Sequence, residues 1–216
     1  MRKIFFFLSI AILALASCSD DKEFVIKGEI ADNSCDGAQI FLVPLTEPAT
    51  HETVDSVVIR DRKFEFHGNK TRIASLRLQM PQRMNFQELL VYTEPGVITA
   101  HVAQRGSVTG TKNNDLLQQW KGIQESCVEA RTEALEAVGN NYNDPEYRTV
   151  LDSLQTVMSD ATFNLIKASG LNPLTRFLYA GNKTNLNARH QKELEFMEVD
   201  LQHQLDSIRK SKEVKE

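Results

Sequence analysis

The amino-terminal half of the chain alternates between apolar and polar positions with a period of two. In "EFVIKGEIA" the apolar set is Phe24, Ile26 and Ile30, and in "RKFEFHG" it is Phe64 and Phe66. Such alternation is typical of strands that bury one face. Similar stretches, separated by turn-prone residues, are "AQIFLVPL", "ETVDSVVIR", "ASLRLQM", "ELLVYTE" and "GVITAHVA". Closely spaced short strands without helical segments between them predict an antiparallel β-sandwich or open barrel at residues 24–111.

The period changes to 3.6 residues from about Asn113 onward. An apolar stripe at steps of three or four then predicts a long helix that ends near Gly139. Its members are Leu116, Trp120, Ile123, Cys127, Ala130, Ala134 and Val138.

Helix start and stop signals mark the following segments. Asp144 and Pro145 are typical of an N-cap and first helical position, and Gly170 follows the end of that stripe. "NPLTRFLYAG" predicts a short helix with Asn172 as its N-cap, and "HQKELEFMEVDLQHQLDSIRK" predicts a last one. The sequence therefore predicts an α+β protein with a carboxy-terminal helical region at residues 112–212.

The first residues have the pattern of an export signal. Arg2 and Lys3 precede an uncharged apolar run over residues 4–16, which ends in small residues before Cys18. The run is too short to cross a bilayer as a helix, so we expect a cleaved signal peptide at residues 1–17. "LASC" resembles the lipobox of bacterial lipoproteins, which implies that Cys18 is the lipidated residue. The alternative is an ordinary cleavage site with a chance cysteine.

An acidic tether, residues 18–23, follows the cleavage site. In the lipoproteins that this segment resembles, an acidic run after the cysteine is a surface-export signal, which implies a sorting role for Ser19, Asp20 and Asp21. The alternative is a plain polar tether without a receptor. We expect an outer-membrane lipoprotein, and the sequence leaves open whether its folded part faces the periplasm or the cell surface.

Charge and cysteine content narrow the function classes. The full chain carries 25 basic and 29 acidic residues, and loss of the signal peptide brings the net charge to about −6. No basic stripe with interleaved aromatics is present, which argues against nucleic acid. Cys35 and Cys127 belong to no Cys-x-x-Cys pair. We favour two free thiols, with a Cys35–Cys127 disulfide as the alternative that an exported compartment permits.

No other residue set has the spacing of a catalytic, metal or cofactor site. The five histidines do not pair with acids or cysteines at ligand spacing. Trp120, near the change from strands to helices, is expected to pack the first helix onto the sandwich rather than bind a sugar. We therefore expect no catalytic residue, no metal and no cofactor.

The order of these segments resembles a known domain. Gly28, Asp55-Ser56, Phe64-x-Phe66-x-Gly68, Pro95-Gly96, and Gly110 with Asn113-Asn114 are similar to the β-rich domain of unknown function found in bacterial lipoproteins, amino-terminal to thioredoxin-like, peroxiredoxin-family domains. The resemblance covers roughly residues 22–120. One turn departs from it: Asp61-Arg62 stands where Asn-Gly or Asp-Gly is usual, so a different turn or a less stable hairpin is expected. No Trp-Cys-x-x-Cys occurs, so the resemblance implies no redox residue here.

These observations predict a non-enzymatic envelope lipoprotein that serves as a binding or scaffold module for an unidentified envelope protein. The alternative is an accessory module that delivers substrates to a thioredoxin-like thiol–disulfide system. Neither ligand, partner nor oligomeric state follows from the sequence.

Overall fold

A computed structural model describes residues 22–213. Eight strands form two four-stranded sheets. The first sheet has the order β4-β1-β7-β8 and the second the order β3-β2-β5-β6. The strands are β1 Phe24–Ile30, β2 Gln39–Pro44, β3 Asp55–Val58, β4 Lys63–Gly68, β5 Ile73–Leu78, β6 Leu89–Tyr92, β7 Gly96–Val102 and β8 Ser107–Thr109. The predicted α+β class, with β-rich amino-terminal and helical carboxy-terminal regions, is confirmed.

The sandwich core comes from the alternation seen in the sequence. Inward residues of β1 and β4 are buried, including Ile26, Phe64 and Phe66. The two phenylalanine rings pack edge to face with centroids 6.0 Å apart. They meet inward residues of the second sheet, such as Ile40 and Leu76, in one continuous apolar cluster.

One strand pair departs from the expected antiparallel arrangement. β1 lies between β4 and β7, and it runs parallel to β7 with Val25 opposite Val97. The strands between them in sequence build the second sheet and the edge strand β4, so the chain re-enters the first sheet from the end at which it began. Alternation along a strand has the same period in both arrangements, which is why the sequence could not distinguish them.

The helices are α1 Lys112–Ala137, α2 Pro145–Ser169, α3 Pro173–Asn182, α4 Ala188–Glu193 and α5 Glu195–Glu213. Asp144 caps α2 by accepting a hydrogen bond from the Glu146 amide, and Asn172 forms a capping box with Thr175. The last predicted helix is divided in two at Leu194. With that break, Leu194 and Met197 are both buried in the helical core.

The helices cover the outer face of the second sheet. Ile73 and Tyr92 point outward from that sheet, and they are buried by the helices in a second apolar cluster. The contributing helical residues include Leu117, Leu165, Leu174 and Leu178. The molecule therefore has three layers: the first sheet, the second sheet and the helices.

The Asp61-Arg62 turn adopts the backbone that its sequence disfavours. Asp61 has φ of 50° and Arg62 of 62°, the positive values of a type I′ turn. Arg60 and Lys63 close the two-residue loop with reciprocal backbone hydrogen bonds of 3.0 and 2.9 Å. The expectation of a different turn was wrong, and the alternative of a less stable hairpin can be tested.

We expect the Arg62→Gly variant to be about 1 kcal/mol more stable than the Arg62→Ala variant, since only glycine adopts this backbone without a Cβ penalty. Both variants lose the exposed ion pair between Arg62 and Glu29, 2.8 Å apart, so the comparison isolates the backbone. Urea unfolding measures the difference. Equal stability of the two variants would mean that the turn stores no strain.

Candidate functional site

The amino-terminal tether and the start of α1 lie at the same end of the sandwich. The Gly96 amide, at the start of β7, donates to the Glu23 carbonyl at 3.0 Å. Next to it, the Glu94 carboxylate accepts from the Asn113 amide at 2.7 Å. This end, where β1 and β7 begin, is called the tether end below.

Asn114 attaches the first turn of α1 to the edge of the second sheet. Its Oδ1 accepts from the Tyr92 amide at 3.0 Å, and its Nδ2 donates to the Tyr92 carbonyl at 2.8 Å. Nδ2 is also 2.7 Å from Thr111 Oγ1. The side chain is fully buried, so this amide replaces the neighbouring strand that the edge strand β6 lacks.

From the tether end, α1 runs along the sandwich to the opposite end. Gln118 Oε1 accepts from the Val108 amide at 3.0 Å. Lys121 Nζ donates to the carbonyl of Gly106, in the loop after β7, and Glu129 pairs with Arg105 of the same loop. Beyond Lys121, α1 continues for about 24 Å to its end at Ala137. Its distal part therefore extends past the end opposite the tether.

α2 returns antiparallel to α1 and completes a helical hairpin. Near its base, Trp120 Nε1 donates to Thr162 Oγ1 at 2.9 Å, and Gln155 Nε2 donates to the Asn185 carbonyl at 2.6 Å. Near the tip, Arg131 Nε donates to the Tyr147 hydroxyl at 3.3 Å. The segment Lys183–Asn185 and α4 thus contact the base of the hairpin, while its tip contains polar contacts between α1 and α2.

An apolar groove of about 230 Å³ runs between the distal parts of these two helices. We call it the hairpin groove. Val128 on its rim is 64% exposed. The residues that define it are Cys127, Val128, Arg131, Leu151, Leu154 and Met158.

The predicted site residues fall into two groups. Cys18, Ser19, Asp20 and Asp21 lie outside the described residues, so their roles stay predictions. Cys35 and Cys127 are both free thiols in the structure, and the alternative of a disulfide between them is not what the structure contains. Cys35 is fully buried in the sandwich core, whereas Cys127 lines the hairpin groove on α1. Their places in two different layers explain why they do not pair.

A serine, a histidine and an aspartate come together between α2 and α4. Ser159 Oγ lies 3.0 Å from His190 Nδ1, and His190 Nε2 lies 3.5 Å from Asp160 Oδ1. Ser159, however, is only 2% exposed, and its Oγ accepts from the Asn187 amide at 2.8 Å. A nucleophile needs access to a substrate carbonyl, so we interpret this set, with the Phe163 ring stacked 4.0 Å from His190, as a structural connection between α4 and α2.

A buried arginine holds the loop between β2 and β3. Arg72 donates to Glu47 at 2.9 Å and to Asp55 at 3.0 Å, and its Nη1 also donates to the Thr53 carbonyl at 2.9 Å. Hydrogen bonds from Lys70 and then Arg72 lower the pKa of the Glu47 carboxyl below its ordinary value. The cluster is an ion-pair network within the domain that fixes the loop between β2 and β3. None of its side chains lines one of the described cavities, so we do not interpret it as a binding site.

This lowered pKa predicts an acid-dependent loss of stability. The unfolded chain binds a proton at Glu47 at a higher pH than the folded chain does, so the stabilisation is present above about pH 4.3 and is lost as pH falls through the folded pKa. We expect the stability difference between the protein and its Glu47→Gln variant to shrink from pH 7 to pH 3 in urea unfolding. A difference that stays constant with pH would exclude this contribution.

Trp120 joins α1 to α2 and lies beside the apolar cluster that includes Ile73 and Tyr92 of the second sheet. Besides its bond to Thr162, the ring packs against the helical core. It also lines a small cavity of about 180 Å³ at the junction of β6, β8 and α1, together with Leu89, Val108 and Lys121.

Two negative findings concern residues 22–213 only. Within this range, no group of three or more His, Cys, Asp and Glu side chains is placed to hold a metal ion. No helix in the same range is long and apolar enough to cross a bilayer.

The fold is thus a two-sheet sandwich with a helical layer and a projecting helical hairpin. Residues 24–117 match the family model of a domain of unknown function, DUF4369, so the chain contains a DUF4369 domain there. That range covers the whole sandwich and the first turns of α1. No curated protein and no solved structure matches the chain.

Proposed function

We propose that this protein is a lipid-anchored, non-enzymatic envelope protein that presents the α1–α2 hairpin to a partner protein. The observation that carries the proposal is the direction of α1. It begins at the tether end, where Asn113 bonds Glu94 and Gly96 bonds Glu23, and its distal part extends past the opposite end, beyond Gly106. A protein held at its amino terminus would then carry the hairpin on the side away from the membrane.

The dimensions support this arrangement. A tether over residues 18–23 spans at most about 20 Å, which keeps the tether end close to the bilayer. The strand β1, with seven residues, adds about 23 Å. The part of α1 beyond Glu129, which still pairs with Arg105 of the loop after β7, adds about 12 Å more. The hairpin tip would therefore lie well clear of the lipid headgroups, within reach of another protein.

The anchor and its sorting signal are the membrane part of the proposal. Lipidation at Cys18 would attach the chain to the outer membrane, and Asp20 and Asp21 would direct it to the cell surface. Replacing both aspartates by alanine should leave lipidation intact and remove accessibility to protease added to whole cells. If the double variant remains fully accessible to the added protease, the acidic run is only a polar tether and not a sorting signal. A Cys18→Ala protein that still fractionates with membranes would contradict the anchor itself.

The partner-binding role is tested with matched surface variants. Val128→Asp places a charge in the hairpin groove, and Val199→Asp places one on an equally helical, 57% exposed valine of α5. In pull-downs from detergent-solubilised envelope, a partner that the hairpin binds should be lost with Val128→Asp and kept with Val199→Asp. Loss with neither variant would contradict the proposal. A thioredoxin-fold partner would instead favour the accessory role in a thiol–disulfide system.

The absence of thiol catalysis is part of the proposal. Disulfide exchange needs an accessible thiolate, whereas burial raises the pKa of both thiols, Cys35 and Cys127. We expect the mature protein not to reduce an insulin-type disulfide substrate. Turnover that disappears in Cys35→Ser or Cys127→Ser would contradict this.

A further inference from the structure

The hairpin groove exists because two helices cannot bury all of their apolar residues. Two packed helices cover one line of contact, and the side chains that flank this line need a third element. Toward the base of the hairpin, the segment Lys183–Asn185 supplies that element up to the edge of the groove, where Gln155, itself a lining residue, donates to the Asn185 carbonyl. In the distal part, Cys127, Leu151, Leu154 and Met158 are only half-buried, and Val128 is exposed.

The shape of the groove favours a helix as the third element. The groove follows the axes of two helices, so an added helix can place its side-chain ridges between theirs. An extended segment in the same place would bring backbone N–H and C=O groups against Leu and Met side chains without hydrogen-bond partners. Amphipathic helices that bind in apolar grooves between helices are a recurrent mode of peptide recognition.

Arg131 determines the charge of the occupant. It is the one charged residue that lines the groove, and no carboxylate pairs with it within residues 22–213. Its hydrogen bond there is the one from Nε to the Tyr147 hydroxyl. The acids of α1 nearest to it in sequence, Glu129 and Glu133, are two residues away, which places them on other faces of the helix. Glu129 is moreover paired with Arg105.

An arginine has five N–H donors, and its terminal pair matches the two oxygens of a carboxylate. We infer that the hairpin groove binds an amphipathic helix of another envelope protein, with an Asp or Glu beside its apolar stripe that pairs with Arg131. This inference rests on the proposed partner-binding function and names the class of partner that the same surface takes.

The test uses two synthetic helical peptides with the full mature protein in detergent. Both peptides carry the same leucine stripe, and the flanking charged positions are all Glu in one and all Lys in the other. The readout is the rate at which a maleimide alkylates Cys127, because this thiol lies in the groove while Cys35 is fully buried. We expect the Glu peptide to protect Cys127 at concentrations at least about tenfold lower than the Lys peptide, an energy difference of about 1.4 kcal/mol.

Two variants make the test specific. Arg131→Glu should reverse the preference, so that the Lys peptide protects better. Val128→Asp should abolish protection by both peptides. Val199→Asp should behave like the unmodified protein.

Three outcomes would overturn the inference. Equal protection by both peptides would exclude the role of Arg131, and an unchanged preference in Arg131→Glu would do the same. Sedimentation of the protein as a dimer that Val128→Asp dissociates would identify a second copy as the occupant instead. In each case, loss of a partner with Val128→Asp in the envelope pull-down would still support the proposed function, which separates the two failures.

Discussion

The Gly28→Ala variant is expected to lose about 3 kcal/mol of unfolding free energy, the upper end of the usual cost of overpacking a core. Gly28 lies directly opposite Phe64 across the β1–β4 pair. A Cβ atom built on Gly28 would lie 1.9 Å from Phe64 Cζ. The ring is itself 95% buried, with 5% exposure, so it cannot move aside without displacing the sandwich core. Urea unfolding followed by circular dichroism measures the loss.

Two controls separate this clash from a general effect of alanine. Gly122, on α1, has no atom within 4 Å of the corresponding position, so Gly122→Ala should leave stability unchanged or raise it by about 1 kcal/mol. The double variant Gly28→Ala with Phe64→Leu should lose less unfolding free energy than the two single variants lose together, because the smaller leucine side chain makes room for the added methyl group. Strict additivity of the two changes would show that Phe64 is not the cause.

The sequence predicted the fold where a local rule determines the structure. Alternation identified the strands with Phe24, Ile26, Phe64 and Phe66, and the signals at Asp144 and at Asn172 marked helix starts that the structure confirms. These features depend on neighbouring residues alone. They need no knowledge of the rest of the molecule.

Prediction from the sequence failed where contacts between residues far apart in the chain determine the structure. The parallel pairing of β1 with β7 depends on the path of the five strands between them. The break at Leu194 depends on how Leu194 and Met197 reach the helical core. The turn at Asp61-Arg62 has positive φ values and is closed by the Arg60–Lys63 bonds. Two distant residues also hold it: the Ile30 amide donates to the Arg62 carbonyl, and the Arg62 amide donates to Asp36 Oδ1, both at 2.8 Å.

The candidate site could be read only partly from the sequence. The stripe through Cys127 marked α1 as amphipathic, but the same stripe would occur in a helix that is fully covered. Only the structure shows that the helical layer contacts α2 near Gln155 and leaves the distal part with two helices. Arg131 gave no signal either, because a lone arginine on a helix is usually solvated. The direction of the hairpin depends on Glu23, Gly96 and Gly106, three residues far apart in sequence.

Asn114 attaches the first turn of α1 to the edge strand β6, and the sequence indicated it only as part of a resemblance. Its amide satisfies both backbone groups of Tyr92 in a fully buried place. No local pattern distinguishes such an asparagine from one that caps a turn. A signal was nevertheless present, since an Asn-Asn pair inside the first turn of a helix is unfavourable unless the side chains bond outside it.

The Asn114→Ala variant should therefore lose about 1–3 kcal/mol of unfolding free energy. It leaves the buried Tyr92 N–H without a partner and removes one of two hydrogen bonds to the Tyr92 carbonyl, the other coming from the Glu94 amide at 2.8 Å. The loss should be accompanied by faster hydrogen exchange in the first turns of α1 than in β1 or β7. An equal increase in exchange over the whole chain would mean that Asn114 supports general stability rather than the attachment of the hairpin.

The isosteric Asn114→Asp variant tests the same contact through pH. Its carboxylate still accepts from the Tyr92 amide, but it places a second acceptor against the Tyr92 carbonyl. A protonated carboxyl can donate to that carbonyl again, so the variant gains stability in the protonated form, which is present in full below about pH 4 and is lost as pH rises. We expect the Asn114→Asp protein to be about as unstable as Asn114→Ala at pH 7, and to become the more stable of the two as pH falls to about 4. If the two variants keep the same relative stability over this range, the donor from Asn114 Nδ2 to Tyr92 is not what holds α1 on the sheet.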